Sequence, residues 1–158
     1  MNACGELAIR LYRPTDLDGA IAVFLGSVRQ IAARDYNEAQ IDAWARVERD
    51  RWAAKRLGRP TWIAVIGDEL VGFTDLEPDG RLDMMYVHAA HQRKGVATAL
   101  LKNVEAAAAE LHLPRIFTAA SITARAFFES HRFRVVTPQV VQVRGQSLTN
   151  FLMEKLLP

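Results

Sequence analysis

The residues whose types and spacing can do chemistry stand between Leu82 and Leu101, LDMMYVHAAHQRKGVATALL. A short apolar run, Met84 to Val87, reads as a strand. A polar, basic loop follows from His88 to Lys94, and Gly95 opens an alanine-rich helix. A strand that passes through a glycine-bearing turn into a helix N-terminus makes an anion site. The first N–H groups of the helix lack intrahelical partners, and the helix dipole is positive at that end. The ligand such a site selects carries phosphate. Two nucleotide loops do not fit the residues: there is no G-x-x-x-x-G-K-[ST] and no G-x-G-x-x-G. What stands there is Gln92-Arg93-Lys94-Gly95-Val96-Ala97.

The elements around this loop follow from hydrophobic periodicity. Ala8 to Arg13 alternates as a strand, and Pro14 stops it. Thr15 or Asp16 can cap a helix carrying Leu17, Ala20, Ile21, Phe24, Leu25 and Val28, which runs to about Ala33. Asn37 and Gln40 form a capping-box pair that starts a second helix. Ile41, Trp44, Val47, Trp52 and Leu57 extend it to Gly58 and Pro60. Thr61–Ile66 and Leu70–Leu76 form a hairpin over Gly67-Asp68, and Leu82–Val87 is the third strand of a meander. After the Gly95 helix come a strand at Arg115–Ala119, a short helix at Thr123–Ser130, and a closing hairpin of Phe133–Val143 and Ser147–Leu156. The expected fold is one α/β (α+β) domain. It has a mixed, mostly antiparallel sheet of about seven strands, four helices, and one β-α-β crossover around the glycine loop.

Composition excludes several classes. The chain has 158 residues, half of them apolar and about a quarter charged, as for one globular domain. A net charge of +2, with acids and bases interspersed, does not suit a nucleic-acid partner. No run reaches the roughly 20 apolar residues of a membrane span. The single cysteine, Cys4, allows no disulfide within the chain, and MNACGELAIR has no signal-peptide pattern. The expected setting is cytoplasmic. His88, His91 and His131 lack metal-ligand spacing, so no metal is assigned.

The hexapeptide from Gln92 to Ala97 resembles the Q/R-x-x-G-x-G/A signature of the GNAT superfamily of acyl-CoA-dependent N-acyltransferases. Tyr86-Val87-His88 resembles the end of that family's fourth strand. Ala124 to Phe133, ARAFFESHRF, resembles its A-x-x-F-Y-x-x-x-G-F segment. The opening IRLYRPTDLDGA resembles its first strand and helix, and element order agrees over nearly the whole chain. The resemblance names the anion as the pyrophosphate of coenzyme A. It implies that Gln92, Arg93, Lys94, Gly95, Val96, Ala97 and Thr98 hold the cofactor, chiefly through backbone N–H groups. Met85, Tyr86 and Val87 would pair with its pantetheine arm as an added strand does. Ser121 would lie beside the cofactor, and Phe127 and Phe128 would pack on the pantetheine or its thiol end.

The same resemblance implies acetyl transfer from acetyl-CoA by direct attack of a primary amine. The Val87 N–H would support the thioester oxygen. A base must take a proton from the amine. Asp83 is the first choice, two and four residues before Met85 and Val87 and so on their face of a strand. Glu77 and Asp75 are next. The family often uses a Tyr in the A-x-x-F-Y segment as the acid for the leaving thiolate. That position is Phe128, which has no proton to give. Ser121, Thr123, Tyr86 or water would substitute. On the acceptor side, Tyr36 and Glu77 are the candidates, while Trp44 and Trp52 read as core. The acceptor would be a small-molecule amine or a peptide N-terminus, with no nucleic acid and no membrane as partner. The competing reading, prompted by Phe128, is a non-catalytic CoA or acetyl-CoA sensor or subunit. The valine-rich closing hairpin admits a homodimer.

Overall fold

The computed structural model describes residues 5–158. Cys4 lies outside them. Among the described residues, seven strands and five α-helices are present, and the strands divide into two sheets. The first sheet is antiparallel, in the order β1 (Leu7–Leu11), β2 (Thr61–Ile66), β3 (Glu69–Asp75), β4 (Met85–Val87). The second, also antiparallel, is β5 (Arg115–Ser121), β7 (Gln146–Leu156), β6 (Arg134–Val143). The expected seven strands therefore exist, but as four and three. The two sheets meet at one parallel bridge, Arg81 with Phe117.

The helices are α1 (Leu17–Gln30), α2 (Glu38–Trp44), α3 (Arg49–Leu57), α4 (Val96–Glu110) and α5 (Arg125–Ser130). Both faces of the first sheet are covered, which is why β2 reads as the unbroken apolar run TWIAVI. Ile63 and Phe73 stand opposite each other across β2 and β3 and pack under α1 with Phe24, Val28 and Trp52. Trp62, Ala64 and Val71 point the other way, against Val96, Leu100, Leu101 and Val104 of α4. Gly72 permits that approach. A Cβ there would lie 3.0 Å from Val96 and 3.1 Å from the Tyr86 carbonyl.

Three boundaries differ from the sequence reading. The helix expected from Asn37 to Leu57 is two, broken at Ala45–Glu48. Its start is as expected, with Asn37 and Gln40 exchanging hydrogen bonds of 2.9 and 2.8 Å. At the end of α2, Arg144 Nη1 donates to the Ala43 carbonyl at 2.7 Å and serves the last turn. The first helix stops at Gln30, and Ala32–Arg34 form a separate 3-10 turn. The third strand of the meander is Met85–Val87 only. The Asp75 carboxylate accepts the N–H groups of Asp83 and Met84 at 2.9 and 3.1 Å, replacing the ladder there. The strand-face argument for Asp83 therefore does not apply.

At the start of α1, Asp16 is buried and accepts two bonds of 2.8 Å from Arg10 and one of 2.8 Å from the Arg13 N–H. The Arg10 hydrogen bond holds its carboxyl below the ordinary value of 3.8. A lowered folded-state value means stability that is present above the ordinary value and lost as pH falls through the folded one. Asp16→Asn is expected to cost about 1–3 kcal/mol at neutral pH. It should also flatten the acid limb of the stability curve. Urea denaturation at several pH values measures both.

Candidate active site

The site begins where the two sheets part. At the bridge, Leu82 N–H donates to the Phe117 carbonyl at 2.8 Å and Phe117 N–H to the Gly80 carbonyl at 3.0 Å. Thr118 Oγ1 adds a bond of 2.8 Å to the Leu82 carbonyl. Beyond that point β4 pairs only with β3, and β5 only with β7. The His88 N–H donates to Val71, and the Met84 carbonyl accepts from Thr74 Oγ1. Backbone groups at 84, 86 and 88 therefore face β3. By the alternation of an antiparallel ladder, those of Met85 and Val87 face the gap. The gap-side Val87 carbonyl accepts from Gln92 Nε2 at 2.8 Å, which folds the loop back onto the strand end.

The loop then turns through two left-handed residues, Arg93 at φ 61° and Gly95 at φ 81°. Apart from Gly95 and its chain neighbours, no protein atom lies within 4 Å of where a Gly95 Cβ would stand. What the position requires is the positive φ and open space above it. Gly95 caps α4 without a side-chain bond, and the first intrahelical amide to bond is Ala99, at 3.0 Å to Gly95. Among the described residues, no protein acceptor takes the N–H groups from Arg93 to Thr98. Of this stretch, Arg93 and Gly95 to Thr98 line a cavity of about 350 Å³.

That cavity gathers twelve of the thirteen residues expected to hold a cofactor: Met85, Tyr86, Val87, Gln92, Arg93, Gly95, Val96, Ala97, Thr98, Ser121, Phe127 and Phe128. Lys94 does not line it. Val28 of α1, with Ile31 and Arg34 just after it, also lines the cavity, and none of the three was expected at the cofactor. No local motif marks them. They are brought in by the packing of α1 over β3 and β4.

A second cavity of about 170 Å³ shares Trp44, Met85, Tyr86, Ser121, Ala124 and Phe128 with the first. Tyr36 and Asp83 line it, while Glu77 lines neither. Tyr36 is buried, and its hydroxyl is used within the protein. It donates to the Thr149 carbonyl at 2.6 Å and accepts from the Ile122 N–H at 2.9 Å, so only its ring remains for contact. Trp52 is core, as expected, but Trp44 is half-buried between the two cavities and packs on the rings of Tyr36 and Tyr86. Burial pushes the Tyr86 phenol well above its ordinary range, and the nearby Asp83 and Asp75 charges push it the same way. Tyr86 thus keeps its proton at neutral pH. Phe128 is buried and packs on Phe127 and Phe133.

The three carboxylates considered as bases are held by arginines. Asp75 is fully buried, 3.0 Å from Arg56, which is also buried and lies over the rings of Trp52 and Phe73. Burial raises the Asp75 carboxyl and lowers the Arg56 guanidinium from their ordinary values. Arg59 lies 3.3–3.4 Å from Asp75, Glu77 and Asp83, and Arg81 reaches Glu77 and Asp83. Of the three, Asp83 alone lines either of these two cavities. Among the described residues, no group of three or more His, Cys, Asp or Glu is placed to hold a metal ion.

Comparison with known proteins places this geometry in a family. The description "Acetyltransferase (GNAT) domain" matches residues 32–156. The chain is 37% identical over 148 residues to the uncharacterized N-acetyltransferase YafP of Escherichia coli, covering 94% of this chain and 95% of that one. A GCN5-related N-acetyltransferase from Rhodopseudomonas palustris superposes with a TM-score of 0.92 at 32% identity, over 99% of both chains. The protein yncA from Salmonella typhimurium, solved with acetyl-CoA, shares the fold at a TM-score of 0.73 and 19% identity, over 98% of this chain and 95% of that one. By domain match and by sequence relatives, this chain belongs to the GNAT acetyltransferases.

Proposed function

We propose that this chain transfers the acetyl group of acetyl-CoA to a primary amine by direct attack. The observation that carries the reading is the row of unpartnered amides from Arg93 to Thr98 beside the open β4 edge. The residues suit the donor. Its pyrophosphate meets the N–H groups of Arg93 and of Gly95 to Thr98 at a positive helix end. Its amide-bearing arm meets the Met85 and Val87 backbone, and the cavity of about 350 Å³ lies within the usual range for ligand sites. The donor supplies an activated acyl group.

The chain's own residues supply the rest. The Val87 N–H, aimed into the gap, supports the thioester oxygen as it gains charge. Asp83 takes the proton that the amine sheds as the C–N bond forms and the C–S bond breaks. The leaving sulfur gains a proton from Tyr86, Ser121 or water, since Phe128 has none. Ser121 Oγ already accepts the Ala124 N–H at 3.0 Å, which leaves its own proton free to donate.

The test is to incubate the chain with acetyl-CoA and a panel of primary amines and short peptides, and to follow thiol release and acetylated product by mass spectrometry. Acetyl-CoA-dependent product supports transfer. Tight CoA binding with no product across the panel would favour the sensor reading. Gly95→Ala should raise the KM for acetyl-CoA about 5- to 30-fold with a smaller change in kcat. The reason is the strain of about 1–2 kcal/mol that a side chain carries at positive φ.

A further inference from the structure

We propose that Asn150 receives an N–H of the acceptor amine, and that the cavity it lines selects compact monoamines with an apolar body. This rests on the acetyl transfer proposed above and names its acceptor class. Asn150 stands on β7 directly opposite Ser121 of β5, so their side chains share a face, and both line the cavity of about 170 Å³. Its Oδ1 is buried and has no hydrogen-bond partner. A buried carbonyl oxygen left unpaired costs stability, so a protein that keeps one commonly gives it a ligand.

Besides Tyr86, the other side-chain acceptors of this cavity already bond a group of the protein. Tyr36 bonds Thr149 and Ile122, Thr118 bonds Leu82, Ser121 accepts from Ala124, and both Asp83 oxygens face guanidinium groups. Asn150 therefore offers the amine an acceptor that no protein group already occupies. Asp83, on the same cavity, takes the proton.

The walls define the body of the acceptor. Val141, Val143 and Leu148 form an apolar side against the rings of Tyr36 and Trp44. The volume is below the range of about 300–1,000 Å³ for drug-sized ligands. The charges around Asp83 are balanced, with Arg56, Arg59 and Arg81 set against Asp75, Glu77 and Asp83. A second positive charge on the acceptor finds no unpaired carboxylate there. Polyamines and charged peptides are thus disfavoured.

The test compares benzylamine, isobutylamine, spermidine and a tetrapeptide with a free N-terminus as acceptors. Benzylamine or isobutylamine should exceed spermidine and the tetrapeptide in kcat/KM by about tenfold or more. Asn150→Leu should raise the KM for the preferred amine about 5- to 100-fold, leave the KM for acetyl-CoA unchanged, and not lower the melting temperature. Asn150→Asp, which keeps an acceptor oxygen, should retain most of the amine affinity. An unchanged amine KM in Asn150→Leu, or a preference for spermidine or the peptide, overturns the assignment. Should Asn150→Leu not fold, Asn150→Ala gives the same two-KM comparison. The side-chain amide resonances of Asn150 in nitrogen-labelled protein give a readout apart from turnover. They should shift on titration with benzylamine even if no amine is acetylated, a result that would count against transfer alone. Resonances that do not move overturn the proposal.

Discussion

Asp83→Asn is expected to lower kcat by about 10²- to 10⁴-fold, the usual contribution of a positioned general base. Asparagine keeps the shape and the backbone bond from the Asp83 N–H to Asp75 but cannot take a proton. The remaining rate should then follow the free-amine fraction in solution, rising about tenfold per pH unit toward the pKa of the amine. The parent should be less steep over the same range, because its base deprotonates the bound amine. The KM for acetyl-CoA should not move, since Asp83 lines only the second cavity. A pH–rate profile of both proteins measures this, and an unchanged kcat and profile would remove Asp83 as the base.

Asp75→Ala is the second large effect, and it falls on stability. It leaves Arg56 buried without its carboxylate, and such an uncompensated charge costs about 3–5 kcal/mol. It also frees the N–H groups of Asp83 and Met84, so the segment that presents Asp83 loses its support. The double change Asp75→Ala with Arg56→Met should recover much of the stability, because the buried charge is gone. It should not recover turnover, because Asp83 and Met84 still lack their acceptor. Denaturant midpoints and kcat for the three variants separate the two roles. If the single variant were as stable as the parent, the buried pair would not be holding this region.

The parts of the site that were legible in the sequence are those written locally. Gly95 sits between a strand and a helix, and its positive φ and the free amides after it follow from a few consecutive residues. The alternation or helical spacing of most elements comes from one face meeting the core, as Ile63 and Phe73 do under α1. What stayed hidden depends on partners far apart in the chain. The end of α2 at Trp44 is capped by Arg144, about a hundred residues later, which donates to the Ala43 carbonyl. Asp75, Glu77 and Asp83 looked alike as carboxylates near the glycine loop. Only the arginines around them and the course of the chain at Asp83–Met84 show that one lines the second cavity and the others do not. Asn150 carried no signal, since an asparagine within an alternating strand becomes distinctive only when Ser121 is set opposite it.

The central claim is that the strand end Met85–Val87 and the amides from Arg93 to Thr98 form the coenzyme A site. The most direct measurement is residue-level amide hydrogen exchange with and without saturating coenzyme A. The account predicts slowed exchange at Met85, Val87 and the stretch from Arg93 to Thr98, with α3 and the outer strand β6 unchanged. Coenzyme A that fails to bind, or that binds while leaving exchange at those amides unaltered, would contradict it.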